Sequence, residues 1–337
     1  MSYYNDIVNA AELDLPWEKM SGKNILVTGS TGMIGSALVD VLMSRKEQDY
    51  HVYASGRNET KVKTIFAKYV SSPFFHFCKY DVREPLQSET MFHYMIAGAG
   101  VASPQLYSTD PVSVIKSNLW GVDNLFSYGI RNHLEKFLYI SSGEVYGEGD
   151  GRVFTEDYSG YVDCTSLRAC YPSAKRAAES LCVSYSHQYG VDVSIARPCH
   201  VYGPHFNDND KRAYAQFIRN ALRNENIVLK SSGTQYRSWC YVVDCVAAIL
   251  TILLKGKNGE AYNIADESSN VTIREFAEMV AAICKTKVIF DLPENDEKKG
   301  FNVVTKSIFS TKKLCALGWT CKGLMKTKVE STINVLR

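Results

Sequence analysis

Asn24-Ile25-Leu26-Val27-Thr28-Gly29-Ser30-Thr31-Gly32-Met33-Ile34-Gly35 is the stretch from which the rest of the chain can be read. Ile25 to Val27 is a short, partly β-branched apolar run, the pattern of a buried parallel strand. Glycines follow at 29, 32 and 35, and Ala37, Leu38, Val41 and Leu42 then recur at helical spacing. Gly29 suits a tight turn, Gly32 lets backbone N–H groups come close to a pyrophosphate, and Gly35 lets helix and strand pack closely. The first turn of the helix, entered through Thr31, Met33 and Ile34, supplies unpaired N–H donors and the positive end of the helix dipole. A strand, a glycine turn and a helix in that order predict a dinucleotide site.

The 337 residues can bury a large core as one α/β body or two lobes. Hydrophobic residues make up 45% and charged residues 22%, an ordinary globular balance. A net charge of +2 gives no reason to expect a nucleic-acid partner. No apolar run approaches the ~18 residues of a membrane span, so no membrane partner is expected. Met1 to Met20 carries Asp6, Glu12, Asp14 and Glu18 without a basic start, which does not read as a secretory signal. The ten cysteines include no Cys-x-x-Cys pair, and the seven histidines show no ligand spacing. Reduced thiols, a cytoplasmic location and no metal are the expectation.

Further strands are expected at 51–57, 75–80, 94–100 and 137–142, with a long helix over 111–132 that carries Asn118. In this arrangement an acid after the second strand holds the ribose 2′-hydroxyl of NAD, whereas an arginine suits the 2′-phosphate of NADP. Residues 50–58 contain no Asp or Glu, and Arg57 occupies that place. The cofactor expected is therefore NADP or NAD, with NADP favoured. Asp81-Val82 would meet the adenine, and Ala97-Gly98-Ala99 forms a small-residue loop beneath the cofactor. Each parallel crossover requires its own helix, so the fold class is α/β, a doubly wound parallel sheet. Residues 1–21 read as a leader pinned by Leu15 and Trp17, and 22–198 as the dinucleotide-binding domain. Residues 199–337 read mainly as a smaller mixed α/β lobe over the strand ends, with segments that return to the first domain.

Tyr171 and Lys175 lie four apart, on one helical face. Free tyrosine titrates near 10, so a phenolate at neutral pH needs a depression of about 3 units, roughly 4 kcal/mol. A lysine ammonium and a cationic nicotinamide ring favour that charge. Ser142, just past the fifth strand, can share the proton and bind a substrate oxygen.

Together, Gly29/Gly32/Gly35, Asp81, Asn118, Ser141 to Gly147, Tyr171/Lys175, Arg197-Pro198 and Tyr202-Gly203-Pro204 resemble the extended short-chain dehydrogenase/reductase family, which has a Rossmann sheet. The likeness covers residues 22–325 and is narrowest to its nucleotide-sugar epimerase/dehydratase/decarboxylase branch. Arg168-Ala169-Cys170-Tyr171, Ala102-Ser103-Pro104, Tyr107, Asp110-Pro111 and Glu156-Asp157-Tyr158 are most similar to UDP-glucuronate decarboxylases. The resemblance implies Ser142, Glu144, Tyr171 and Lys175 as catalytic residues, and adds Asn118 and Pro198 to the cofactor contacts. It implies Ser103, Ser142, Gly143, Glu144, His200 and Arg237 at the nucleotide-diphosphate sugar, with Arg237 on the diphosphate. It also implies a homodimer formed through helices 111–132 and 171–189, whose apolar surplus permits one.

The family chemistry begins with oxidation at C4 of the sugar. A dehydratase then uses Glu at position 144 and an acid at 143, but Gly143 has no proton to give. Simple 4-epimerases usually lack the Glu, and decarboxylases carry it after a small hydroxyl residue, the pattern nearest to Gly143-Glu144. Three positions depart from the decarboxylase pattern. Arg57 replaces an acid, His200 replaces an Asn, and an Arg-x-x-Asp phosphate motif is not recognisable around residues 298–304. The alternatives are an NADPH-dependent 4-keto-sugar reductase, a 4-epimerase, a 4,6-dehydratase and, more remotely, a non-catalytic NADP(H)-sensing module.

Overall fold

The computed structural model describes residues 2–206, 210–292 and 306–337. β1 (Asn24–Thr28), β2 (His51–Gly56), β3 (Phe75–Lys79), β4 (Tyr94–Ala97) and β5 (Lys136–Ile140) coincide with the expected strands apart from their ends, and β6 (Asp192–Pro198) adds a strand not expected individually. After β7 (His200–Tyr202), β8 (Ile227–Leu229) and β9 (Tyr236–Tyr241), the chain returns to the same layer as β10 (Glu260–Ile264). Among the described residues the sheet runs β10-β6-β5-β4-β1-β2-β3, with every pairing parallel. The strand order reverses between β1 and β4, and the crevice beyond their C-terminal ends is where doubly wound sheets bind ligands.

Both faces of the sheet are apolar because both are covered. Leu26 joins the layer of Met95, Phe126 and Phe137, whereas Ile25 and Val27 join Leu38, Leu42 and Val246 on the opposite side. Each such side chain removed from water contributes about 1.5–3 kcal/mol. The helices up to β10 are α1 (Tyr3–Ala11), α2 (Met33–Met43), α3 (Glu59–Ile65), α4 (Pro104–Thr109), α5 (Pro111–Arg131), α6 (Cys170–Tyr189), α7 (Ala213–Leu222) and α8 (Val242–Lys255), of which α2, α3, α5, α6 and α8 lie against the sheet. α2 and α8 pack together on one face, and α5 and α6 lie side by side on the other. α5 starts where Pro111 needs no N–H partner and the Asp110 carboxylate accepts the N–H of Ser113 at 3.3 Å. α6 ends at Gly190, whose φ of +73° closes the last turn.

One expectation fails. Residues 80–93, between β3 and β4, contain no helix. Side chains of α5 satisfy this connection instead: Tyr128 Oη donates to the carbonyls of Ser88 (2.8 Å) and Thr90 (2.7 Å), and Asn124 Nδ2 donates to that of Val82 (3.0 Å). Leu86 and Phe92 fill the layer that a helix would have covered.

The leader is itself helical. α1 buries Tyr3, Ile7, Ala10 and Ala11 against α2 and α8, and buried Trp17 donates its Nε1 to the Leu13 carbonyl at 2.8 Å. Beyond residue 198, β9 pairs with β7, β11 (Asp266–Thr272) and β13 (Lys306–Ser307), while β8 pairs with β12 (Val288–Phe290). α8 and β10 nevertheless complete the large sheet layer, so 242–264 belongs physically with the first body. The ten cysteines are all free thiols. Among the described residues no helix is long and apolar enough to cross a membrane.

Candidate active site

The glycine turn has almost no spare room. Gly29 sits at φ +72°, and a Cβ on it would lie 2.8 Å from the Gly98 carbonyl oxygen. A Cβ on Gly35 would lie 2.2 Å from the carbonyl oxygen of Gly29. Gly32 donates to that same oxygen at 3.0 Å, and Thr28 Oγ1 accepts the N–H groups of Gly98 (3.1 Å) and Ala99 (3.2 Å). These bonds fasten the loop after Ala97 to the end of β1. α2 begins at Met33 and Ile34 with no side chain capping its first turn, so its leading N–H groups face the Thr31 turn open to an anion. The cradle fits the pyrophosphate of a dinucleotide.

Around it, Arg57 is exposed one residue past β2. Asp81, beyond β3, forms an ion pair with Arg83 at 2.6 Å, which holds its carboxyl at about 2. Val82 packs against α5 at Gly121, where a Cβ would lie 3.0 Å from the valine Cβ. Asn118 is buried and donates to the carbonyls of Val101 (3.0 Å) and Val114 (2.8 Å), while its Oδ1 has no partner among the described residues. A side chain at Gly100 would run into that oxygen, so the site keeps an acceptor on offer. Pro198 is buried at the end of β6.

The first turns of α6 carry Tyr171 and Lys175. Lys175 Nζ donates to the carbonyl of Ile140 at 2.9 Å and lies 4.6 Å from the ring centre of Tyr139 and 5.8 Å from that of Tyr171. Burial pulls Lys175 down to about 8, and the Glu179 carboxylate opposes that fall. Burial pushes the Tyr171 phenol up to about 12, against the hydrogen bond from Ser142 and the nearby charges of Arg212 and Arg168. The expected acidic phenol is thus not produced by the chain's own groups. The ammonium is spent on a backbone carbonyl, and desolvation outweighs what remains of its field.

Ser142 Oγ accepts the N–H of Glu144 at 3.2 Å, which fixes this hydroxyl in the turn after β5, where it acts on the phenol. The Glu144 carboxylate accepts from Arg168 Nη2 at 2.8 Å. Arg168 lies 4.9 Å over the ring of Tyr107, and Tyr107 stacks on Tyr171 with centroids 5.1 Å apart. Ser142, Glu144, Tyr171 and Lys175 are therefore brought together. Gly143 lies beneath Phe309, and a Cβ there would meet the ring at 2.2 Å.

β7 and β9 contribute His200 and Arg237. Burial and the Arg237 charge pull His200 down to about 3, so the imidazole is neutral, and its Nδ1 has no partner among the described residues. Arg237 is buried and senses the Glu144 carboxylate, and its guanidinium makes no hydrogen bond or ion pair among the described residues. A buried guanidinium without an anion is costly, which fits a ligand phosphate. Ser103 is exposed ahead of α4, and no bond among the described residues joins it to this cluster. Residues 298–304 lie outside the described residues. Sequence reasoning gives no role to Arg168, although it stands three residues before Tyr171. It also misses Arg212, which pairs with Asp210 at 2.5 Å and for which no local signal exists.

Residues 25–265 match the NAD dependent epimerase/dehydratase family. UDP-glucuronic acid decarboxylase 6 of Arabidopsis thaliana is 37% identical over 275 residues, 82% of this chain and 78% of that protein. UDP-glucose 4-epimerase of Thermotoga maritima superposes with a TM-score of 0.78 at 24% identity, covering 93% of this chain and 98% of that one. UDP-glucuronic acid 4-epimerase of Bacillus cereus, solved with UDP-glucuronic acid and NAD, gives 0.76 at 22% identity, covering 92% and 98%. The family match runs through the glycine turn, the tyrosine–lysine helix and β9 alike, and the chain belongs to the NAD-dependent epimerase/dehydratase family.

Proposed function

We propose that the chain decarboxylates a nucleotide-diphosphate uronate, UDP-glucuronate by likeness to its relatives, through transient oxidation at C4. NAD, when bound in the cradle, supplies the acceptor that takes the C4 hydride and later gives it back. Tyr171 takes the O4 proton, Ser142 holds the oxygen, and the Lys175 ammonium favours the phenolate. The 4-ketone then draws the electrons of the C5–C6 bond into an enolate as carbon dioxide leaves. Glu144, steered by Arg168, handles the proton that replaces the carboxylate at C5. Tyr171 returns its proton to O4 as C4 is reduced. Arg237 and neutral His200 sit where they can hold the diphosphate and sugar.

The observation that separates decarboxylation from dehydration is Gly143 beneath Phe309, and the likeness to the decarboxylase relatives favours decarboxylation over the other family reactions. Elimination of water needs an acid on the departing hydroxyl, because hydroxide is a poor leaving group. Loss of carbon dioxide needs only the ketone as electron sink. The Phe309 ring fills the space an acidic side chain at 143 would occupy. Gly143→Asp should therefore cost about 1–3 kcal/mol of stability by overpacking. In a Phe309→Ala background the added cost should fall by more than half; an equal cost in both backgrounds, read by urea melts, would refute the steric account.

Offering UDP-glucuronate, UDP-glucose, dTDP-glucose and a 4-keto-6-deoxy sugar to the purified protein tests the reaction by mass spectrometry. Loss of carbon dioxide from the uronate is expected. A second reading, a 4-keto-sugar reductase, draws on Arg57 and requires NADPH to be consumed with a gain of two hydrogens. We also propose that Arg57 lets the site take NADP. Arg57→Ala should weaken NADP about 10-fold, one charge-assisted hydrogen bond, and leave NAD within a factor of about two. Equal losses for both cofactors in calorimetry would sink that assignment. Exposed Val112, Ile115 and Trp120 on α5, with Val183 and Tyr189 on α6, suit a homodimer face. Free thiols suit a reducing compartment such as the cytoplasm.

A further inference from the structure

α6 carries a third buried ionisable group in register with the reactive pair. Tyr171, Lys175 and Glu179 follow one another at intervals of four, so they share one face. Glu179 is fixed from two strands. Its Oε1 accepts from Ser141 Oγ at 2.5 Å and from Arg197 Nε at 3.0 Å, and its Oε2 accepts from Arg197 Nη2 at 2.7 Å. Arg197 is in turn held by Tyr146 Oη (3.1 Å) and the Glu156 carbonyl (2.8 Å). Ser141 directly follows Ile140, whose carbonyl receives the lysine proton. The last residue of β5 and the one after it therefore anchor both the ammonium and the carboxylate.

We propose that Glu179 is a positioning residue for Lys175: clamped by Arg197 and Ser141, its fixed negative charge keeps the buried lysine protonated without taking the proton itself. The clamp matters for the second half of that statement. A free buried glutamate beside a lysine would share or accept its proton, whereas a carboxylate already bonded to a guanidinium and a hydroxyl stays ionised. The other groups facing Lys175 are Tyr171 and Cys182 on its own helix and Tyr139 on β5, each of them pushed upward by burial and therefore neutral near pH 7. Arg197 on β6 is the remaining charge, and its guanidinium is bonded to Glu179 itself. Glu179 is thus the negative charge acting on Lys175 from the packed face. It raises Lys175 against the lowering by burial.

This inference rests on the proposed C4 chemistry for one of its two tests. Glu179→Gln keeps the shape and an oxygen acceptor but removes the charge. The ammonium should then lose its proton at lower pH, so the alkaline fall of kcat should move toward neutrality by about one pH unit. Ser141→Ala removes a hydrogen bond but no charge and should leave that limb in place. Independently of turnover, lysines labelled with 13C at Cε can be titrated by NMR, with Lys175→Met identifying the signal. The Lys175 midpoint should fall in Glu179→Gln and hold in Ser141→Ala. An unmoved midpoint in a folded Glu179→Gln protein, or equal movement in both variants, overturns the proposal. Absence of turnover in the wild type alongside a shifted midpoint would instead count against the proposed reaction and leave Glu179 in its role.

Discussion

Tyr171→Phe should lower turnover on the uronate by about 10²–10⁴-fold, the usual worth of a positioned acid–base group. The loss follows from what the structure gives the phenol to do. Its hydroxyl is buried beside Ser142, which favours the phenolate, and no other phenol sits one helical turn before Lys175. Phenylalanine keeps the stack on Tyr107 and removes only the hydroxyl, so stability should change by no more than about 1.5 kcal/mol. NAD affinity should move only a few-fold. A variant that keeps a tenth or more of the wild-type kcat would show that proton transfer at O4 runs through another group.

The phenol's own position makes this prediction sharper. With burial holding Tyr171 at about 12 and Lys175 at about 8, the lysine is the first of the pair to lose its proton as pH rises. The productive form needs the proton on the lysine and not on the tyrosine, the reverse of the order the chain alone favours. With the cationic nicotinamide bound and drawing the phenol below the lysine, activity should decline above about pH 8, as the ammonium that supports the phenolate is titrated away, and a pH profile flat or rising through pH 9 would contradict it.

Gly35→Val is expected to be the most damaging substitution in the cradle. The new Cβ would sit 2.2 Å from the Gly29 carbonyl oxygen, 2.8 Å from its carbon and 2.9 Å from Ser30 Cα, all backbone atoms that cannot rotate away. β1 and α2 would have to separate, at a cost of about 1–3 kcal/mol or slightly more. The same separation withdraws the N–H groups at the start of α2 from the pyrophosphate. Losing one or two such charge-assisted bonds, about 1.5–3 kcal/mol each, weakens NAD on the order of 100-fold. Calorimetric titration together with a thermal melt reads both effects. Unchanged NAD affinity would mean that the dinucleotide does not lie on this turn.

Both of these sites are legible in the amino-acid sequence because their signals are local. The glycine turn lies within twelve residues, and Tyr171 and Lys175 lie one helical turn apart. α1 also has a local signal: Tyr3, Ile7, Ala10 and Ala11 fall on one helical stripe behind Ser2, whose hydroxyl accepts the N–H of Asn5 at 3.3 Å. What the sequence hides is long-range. Phe309 reaches Gly143, Arg197 reaches Glu179, and Arg237 senses Glu144 only because β9 and the chain after it fold back over the sheet. No periodicity records such meetings. The helix-free 80–93 connection escapes for the same reason, since the bonds that satisfy it come from Tyr128 and Asn124 on α5. Spacing alone also misleads on the phenol's acidity, because it reports neighbours and says nothing of desolvation.

Turnover of UDP-glucuronate deuterated at C4 tests the central claim most directly. If C4 is oxidised and then reduced within one active site, carbon dioxide should be released. The UDP-pentose formed should keep its deuterium at C4, and turnover should be slower than with the protiated sugar. Release of carbon dioxide with the deuterium washed out to solvent, or no carbon dioxide at all, would contradict it.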